Sequence, residues 1–146
     1  MALQQSLYDR DFHDWANRQA SLLRSGSIDS LDIENLAEEI ESLARREKRT
    51  LFNHVEATLL LLLRWTAQPG FRSKAFQLAT DRERRKAARL LGESPSLVSA
   101  PANELPHMYE LARLRAQIET GFADEAFPME CPWPLKNIMK CGWFPK

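Results

Sequence analysis

The stretch LDIENLAEEIESL, at positions 31–43, concentrates the side chains that are best suited to chemistry. Pairs of its side chains lie three or four residues apart, which makes them neighbours on a helix surface: Glu34 and Glu38, Asn35 and Glu39, and Glu38 and Glu41. Carboxylates at such spacing can share a hard cation, as in the di-metal sites of helix bundles. Those sites also need Glu-x-x-His motifs on facing helices, and the only one here, from Glu104 to His107, contains Pro106. We therefore predict an ion-paired helix face and no bound metal.

A second concentration of charge is the stretch FRSKAFQLATDRERRKAAR, at positions 71–89. Its seven basic and two acidic residues give a local excess of +5, a pattern that could contact phosphates. No helix-turn-helix signature or zinc finger accompanies it, and the whole chain has a net charge of zero. We expect Arg84 or Arg85 to pair with Asn35, Glu38 and Glu39 in a partly buried network, because the planar guanidinium can meet a carboxylate with two hydrogen bonds.

Other chemically capable residues are scattered. The chain has two cysteines, Cys131 and Cys141, not arranged as CxxC, and three histidines, which do not form a zinc pattern. It contains no GxSxG, P-loop or GxGxxG motif. These absences lead us to expect no cofactor and no catalysis. Free thiols, and an N-terminal segment without a basic region followed by an apolar one, predict a cytoplasmic protein.

The length of the chain and the spacing of its apolar residues predict the helices that must position these residues. A chain of 146 residues, 44% hydrophobic, fits one globular domain, and its longest uncharged run is far shorter than the roughly 20 residues that span a bilayer. Apolar residues recur at steps of three and four, which predicts helix for about two-thirds of the chain and essentially no sheet. The expected helices are 8–22, 33–66, 74–91 and 106–120, with one further turn at 135–140.

The fold class predicted from these segments is all-α: a single-domain bundle of four or five helices over 1–146, with a proline-rich C-terminal tail. Asp32 is the expected N-cap of the second helix, and the polar run ARREKRT at 44–50 is the expected position of any bend in that long helix. The predicted core comprises Phe12, Trp15, Leu22, Leu36, Ile40, Leu43, Leu59, Leu62 and Leu63.

Five segments, in order, carry a resemblance to a known family: DFHDWANRQASLLRSG, LDIENLAEEIESLARRE, LLRW, ESPSL and FPMECPWPL. Together they resemble the bacterial family called domain of unknown function 29, over positions 8–139. The chain departs from the family pattern at Leu61, where a histidine is common, and at Phe76, where a tryptophan is common. The resemblance implies the fold and a bacterial origin, and it implies no activity.

Three functions follow from these residues as hypotheses. The leading one is a protein–protein interaction or self-association module without catalysis and without a membrane. The second is a nucleic-acid-associated regulator that uses the basic segment 72–89. The third is a metal-dependent enzyme that uses Glu34, Glu38 and Glu39.

Overall fold

The computed structural model of the chain describes residues 6–146, of which 77% are helical and none lies in a strand. The first five residues, which begin the N-terminal segment predicted to lack a secretory signal, lie outside this range. The predicted all-α class is confirmed. The described helices are α1 (Leu7–Arg10), α2 (Phe12–Arg24), α3 (Ile33–Ala67), α4 (Lys74–Glu93), α5 (Ala100–Thr120) and α6 (Leu135–Ile138). Four of these have seven or more residues.

The first predicted helix is divided in two at Asp11. This residue ends α1 and caps α2, since its carboxylate accepts the backbone N–H of Asp14 at 3.0 Å. Gly26, with a φ of 71°, follows the end of α2 as expected. The spacing of apolar residues continues across Asp11, which is why the pattern alone did not reveal the break.

Helix α3 runs without interruption through the polar segment 44–50, and its 35 residues extend about 50 Å at 1.5 Å per residue. Helix α5 begins six residues before the predicted start. Pro101 lies in its first turn, where a missing N–H costs nothing, and the helix continues across Pro106 despite the backbone hydrogen bond that a proline removes.

Contacts divide the chain into an N-terminal unit, residues 1–46, and a C-terminal unit, residues 47–146. The C-terminal unit has a large buried core from the second part of α3, from α4 and α5, and from the last segment of the chain. Its fully buried members include Leu51, Leu59, Leu62, Ala112 and Ile138. The expectation of one domain over 1–146 stays a prediction.

The N-terminal unit, described from residue 6, has a much smaller interior, in which only Trp15 and Gln19 are buried. The predicted core is therefore right for Trp15, Leu59, Leu62 and Leu63 and wrong for Phe12, Ile40 and Leu43, which are half exposed or more. Leu22 and Leu36 are partly buried. The three misplaced side chains lie on helices with too few neighbours within the unit to cover both edges of their apolar stripes.

Within residues 6–146, no helix combines the length and apolar character needed to cross a membrane.

Candidate functional site

The acidic stretch begins α3, and Asp32, just before the helix, is the centre of a polar network. Its carboxylate accepts the indole N–H of Trp15 at 2.9 Å and the side-chain amide of Asn35 at 2.8 Å. Its backbone N–H donates to Oε1 of the buried Gln19 at 2.8 Å. Because Trp15 and Gln19 belong to α2, these bonds join α2 to the beginning of α3. The predicted capping position is confirmed by the Asp32 carbonyl, which accepts the N–H of Leu36.

Hydrogen bonding stabilises the ionised form of Asp32. The side-chain amide of Asn35 has the largest effect and lowers the pKa of the carboxyl; Trp15 and the Asn35 backbone act in the same direction, and partial burial opposes them. The carboxylate is thus held as an acceptor by neutral donors. Such a group fixes helix geometry and is not available as a general acid or base near neutral pH.

Glu39 is held by Tyr8, whose hydroxyl donates to Oε1 of the carboxylate. That hydrogen bond, with smaller effects from burial and from neighbouring carboxylates, raises the pKa of Tyr8 to about 12. The Tyr8 ring also meets Trp15 edge-on at a centroid distance of 4.8 Å. Tyr8 therefore joins α1 to both α2 and α3.

Glu38 points in another direction and pairs with Arg45, at 2.8 Å between Oε1 and Nη2. Both side chains are exposed, and Glu41 lies 3.9 Å from the same guanidinium. Asn35, Glu38 and Glu39 each bond to a side chain of their own unit, namely Asp32, Arg45 and Tyr8 respectively. Their predicted pairing with Arg84 or Arg85 of the other unit stays a prediction. Among the described residues no group of three or more His, Cys, Asp or Glu side chains could hold a metal ion.

Beside this network lies an open groove of about 350 Å³, the α2–α3 groove, whose floor includes Trp15 and Gln19. Phe12 and Leu23 of α2 and Ile40 and Leu43 of α3 form its walls, and each is 50–65% exposed. Glu39 and Arg46 are its charged edges. Polar residues thus fix the two helices, and the surface they leave open is apolar.

In the C-terminal unit, Arg84 is completely buried and has a structural role. Its Nη1 lies 2.9 Å from Asp81, and its Nε and Nη2 donate to the carbonyls of Ile138 and Trp143 at 2.7 and 2.8 Å. The guanidinium also lies 5.1 Å from the centroid of the Phe144 ring. Arg84 therefore holds the end of the chain against α4. Arg85, the next residue, is exposed.

A second cavity, of about 580 Å³, lies between α5 and the segment after it, and its lining includes Tyr109, Arg113 and Cys131. The Tyr109 hydroxyl donates to the carbonyl of Pro128 at 2.5 Å, and burial raises the tyrosine pKa to about 12. Burial also raises the pKa of the Cys131 thiol. The thiol therefore stays protonated, which is the opposite of what a nucleophilic cysteine needs.

Comparison with known families decides the identity of this chain. Residues 7–144 match the family described as Domain of unknown function DUF29. The chain belongs to the DUF29 family. Comparisons with curated proteins and with solved structures find no match to either. For this DUF29 chain, the family description assigns no activity. The residues themselves must therefore carry the functional argument.

Sequence reasoning did not find the roles of Tyr8 and Arg84, and it predicted Asp32 only as a helix cap, without its hydrogen bonds to Trp15 and Gln19. Tyr8 begins the predicted helix 8–22 and Trp15 belongs to the predicted core; both carry a polar group that usually finds a partner when buried. Arg84 stood among six other basic residues, with no local signal that its side chain alone is buried. The binding roles predicted for Asn35, Glu38, Glu39, Arg84 and Arg85 stay predictions.

Proposed function

We propose that this protein is a self-association module, in which two copies dock through the α2–α3 groove with their α3 helices antiparallel. The observation that carries the proposal is the apolar wall of the groove in a unit that is otherwise strongly charged. Residues 6–46 contain nine acidic and five basic side chains, a formal net charge of −4, yet Phe12, Leu23, Ile40 and Leu43 remain half exposed or more on the groove.

The spacing on α3 fits pairing with another helix. Ile33, Leu36, Ile40 and Leu43 follow steps of three, four and three, the a and d positions of a heptad repeat, which form the seam of a coiled coil. Ile33, like Ile40 and Leu43, is more than half exposed. A second helix laid along this seam would cover all three.

The distribution of charge along α3 favours an antiparallel arrangement of the α3 helices of two copies. Positions 29–41 contain six acidic residues and no basic ones, whereas Arg45 and Arg46 follow immediately. A parallel pair would place acid against acid. An antiparallel pair that places Ile40 opposite Leu43 of the other copy brings each Glu39 near the other Arg46, and opposite charges at such flanking positions set orientation in coiled coils.

The magnitudes predict a modest affinity. Fully burying a large aliphatic or aromatic side chain is worth about 1.5–3 kcal/mol, so covering the exposed half of five such residues in each copy contributes on the order of 10 kcal/mol. Association costs roughly 4–15 kcal/mol. A dissociation constant in the micromolar range or weaker is therefore expected.

Sedimentation equilibrium over a wide concentration range tests the proposal. The wild type should dimerise, and the double variant Ile40→Glu/Leu43→Glu should weaken the dimer at least about 100-fold, because it places four carboxylates at a closed seam. The control is Asn17→Glu/Ser21→Glu, which adds the same charge to exposed positions of α2 that do not line the groove. A wild type that stays monomeric, or equal weakening by the control, contradicts the proposal.

Orientation is tested by cross-linking in a background in which Cys131 and Cys141 are replaced by serine. An equimolar mixture of Ile40→Cys and Leu43→Cys chains should form a mixed disulfide faster than either chain alone, because antiparallel packing places position 40 opposite position 43. Faster bridging within each single-variant sample would instead show parallel packing.

A further inference from the structure

Helix α4 carries a row of four basic side chains in the C-terminal unit, here called the cationic stripe: Arg82, Arg85 and Arg89, which are exposed, and Lys86, which is partly buried. At about 100° of rotation per residue these positions lie within an arc of about 100°. The buried residues of the same helix, Thr80, Arg84 and Ala87, occupy the opposite side. We infer that the cationic stripe binds the phosphodiester backbone of a nucleic acid. This inference does not depend on self-association.

The acids interspersed with these cations are turned away and occupied. Asp81 accepts hydrogen bonds from Arg84 and from the backbone N–H of Gly142. Glu83 lies 2.7 Å from Nδ1 of His54 in α3. The sequence of segment 81–89 contains both acidic and basic residues. In the folded protein the two acidic side chains make internal contacts, so the outer surface of this segment is positively charged.

Few acidic side chains neutralise the positive charge of the cationic stripe. Among residues 6–146, no hydrogen bond or ion pair joins Arg82 or Lys86 to another side chain, and Arg85 acts on the Asp81 carboxylate only through charge. Arg89 pairs with Glu93, at 3.0 Å, with both side chains largely exposed. An exposed pair of this kind is weak enough to exchange for a phosphate. Like charges three and four residues apart slightly destabilise their own helix, so the stripe contributes nothing to the fold.

The shape of the stripe favours nucleic acid over a membrane. An amphipathic helix that binds a bilayer inserts an apolar face beside its basic one. The apolar side of α4 packs into the protein core, around Ala87, and is not free to insert. From Arg82 to Arg89 the stripe is about 10 Å long, a length over which duplex DNA presents about six phosphate charges. Arginine, three of the four residues, suits the geometry of phosphate oxygens.

Fluorescence anisotropy with short mixed-sequence RNA single strands and DNA duplexes, titrated at several salt concentrations, tests the inference. Four phosphate contacts predict a slope of log affinity against log salt of about −2.8 for single strands and about −3.6 for duplexes. The triple variant Arg82→Gln/Arg85→Gln/Arg89→Gln should lose most of that slope and at least about tenfold in affinity at low salt. The two probes then show which form of the backbone binds more tightly.

The matched control is Arg10→Gln/Arg18→Gln/Arg24→Gln, which removes the same charge from exposed positions of the N-terminal unit. It should leave the affinity and slope within about twofold of the wild type, and both variants should keep the wild-type helical circular dichroism spectrum. Equal losses in the two variants, or no binding by the wild type, would overturn the inference. So would binding to phosphatidylserine vesicles or polyglutamate that depends on the stripe and exceeds binding to both oligonucleotides.

Discussion

The buried Arg84 and the partly buried Asp81 form an ion pair one helical turn apart, with Nη1 2.9 Å from Oδ1. The pair connects α4 to the end of the chain, because Arg84 donates to the carbonyls of Ile138 and Trp143 and Asp81 accepts the N–H of Gly142. The guanidinium donates three of these hydrogen bonds. An arginine that looks like one of a surface cluster is therefore the residue that attaches the last segment to the core.

Replacing Arg84 should be strongly destabilising. Arg84→Gln leaves Asp81 and two carbonyls without a charged donor in a buried position, and we expect a loss of about 3–5 kcal/mol in the free energy of unfolding. The control is Arg85→Gln, one residue along and exposed, which should change stability by less than about 0.5 kcal/mol. Urea unfolding of the two variants measures the difference, and similar values would mean that Arg84 does not hold the chain end.

Side chains of α3 differ in burial, so we expect their truncation to change the free energy of unfolding by different amounts. Leu59→Ala should cost about 2–5 kcal/mol, because Leu59 is completely buried in the C-terminal core. Ile40→Ala should cost less than about 1 kcal/mol at protein concentrations where the chain is monomeric, since Ile40 is 65% exposed. Chemical denaturation at low concentration measures both. A large loss at Ile40 in the monomer would contradict the open groove.

Both tyrosines of the chain should ionise at a higher pH than a free tyrosine does. Tyr8 and Tyr109 each have a pKa raised to about 12, by the Glu39 hydrogen bond and by burial respectively. A raised folded-state pKa contributes stability that is complete below pH 10 and is lost as pH rises towards 12. Ultraviolet absorbance should therefore show little phenolate at pH 10 in the native protein and half-ionisation there in denaturant. Substantial native phenolate at pH 10 would contradict both contacts.

We expect Asp81 to make the stability of the C-terminal unit sensitive to acid. Burial alone would raise its pKa, but hydrogen bonds from Arg84 and Gly142 and the charges of Arg84 and Arg85 more than offset it, so that the pKa lies below its usual 3.8. A depressed folded-state pKa contributes stability that is present above pH 3.8 and is lost as pH falls through the folded value. Thermal melts from neutral pH to below pH 3 should show this loss. Asp81→Asn should melt lower at neutral pH and show a shallower acid decline.

Divalent cations should not stabilise the acidic stretch. Glu38 pairs with Arg45 on the surface, so Glu38→Gln should cost less than about 1 kcal/mol. Glu39→Gln should have the larger effect on melting, because it removes the ionised acceptor of Tyr8. Calorimetric melts of the wild type and both variants, with Mg²⁺, Mn²⁺ or chelator, measure this. Cation-dependent stabilisation of the wild type that both variants abolish would establish a metal site instead.

Local sequence was sufficient for the elements and their caps. The three-and-four spacing predicted every long helix, Asp32 the start of α3, and Gly26 the end of α2, since hydrogen bonding within a turn and the conformational freedom of glycine are local properties. The same spacing misplaced Ile40 and Leu43. An apolar stripe shows which side of a helix favours burial, and it does not show whether a neighbour is present to cover it.

The amino-acid sequence by itself determined that this protein is helical, where its helices lie, and which family it belongs to. Only the tertiary structure decided the fate of individual charges: Arg84 became a buried anchor, Arg85 stayed on the surface, and Asp81 and Glu83 turned inward. The physical reason is that successive side chains on a helix point about 100° apart. Two adjacent arginines can therefore lie in surroundings of very different polarity. Which environment each one meets depends on segments 50 or more residues away, as with Ile138 and Trp143 for Arg84.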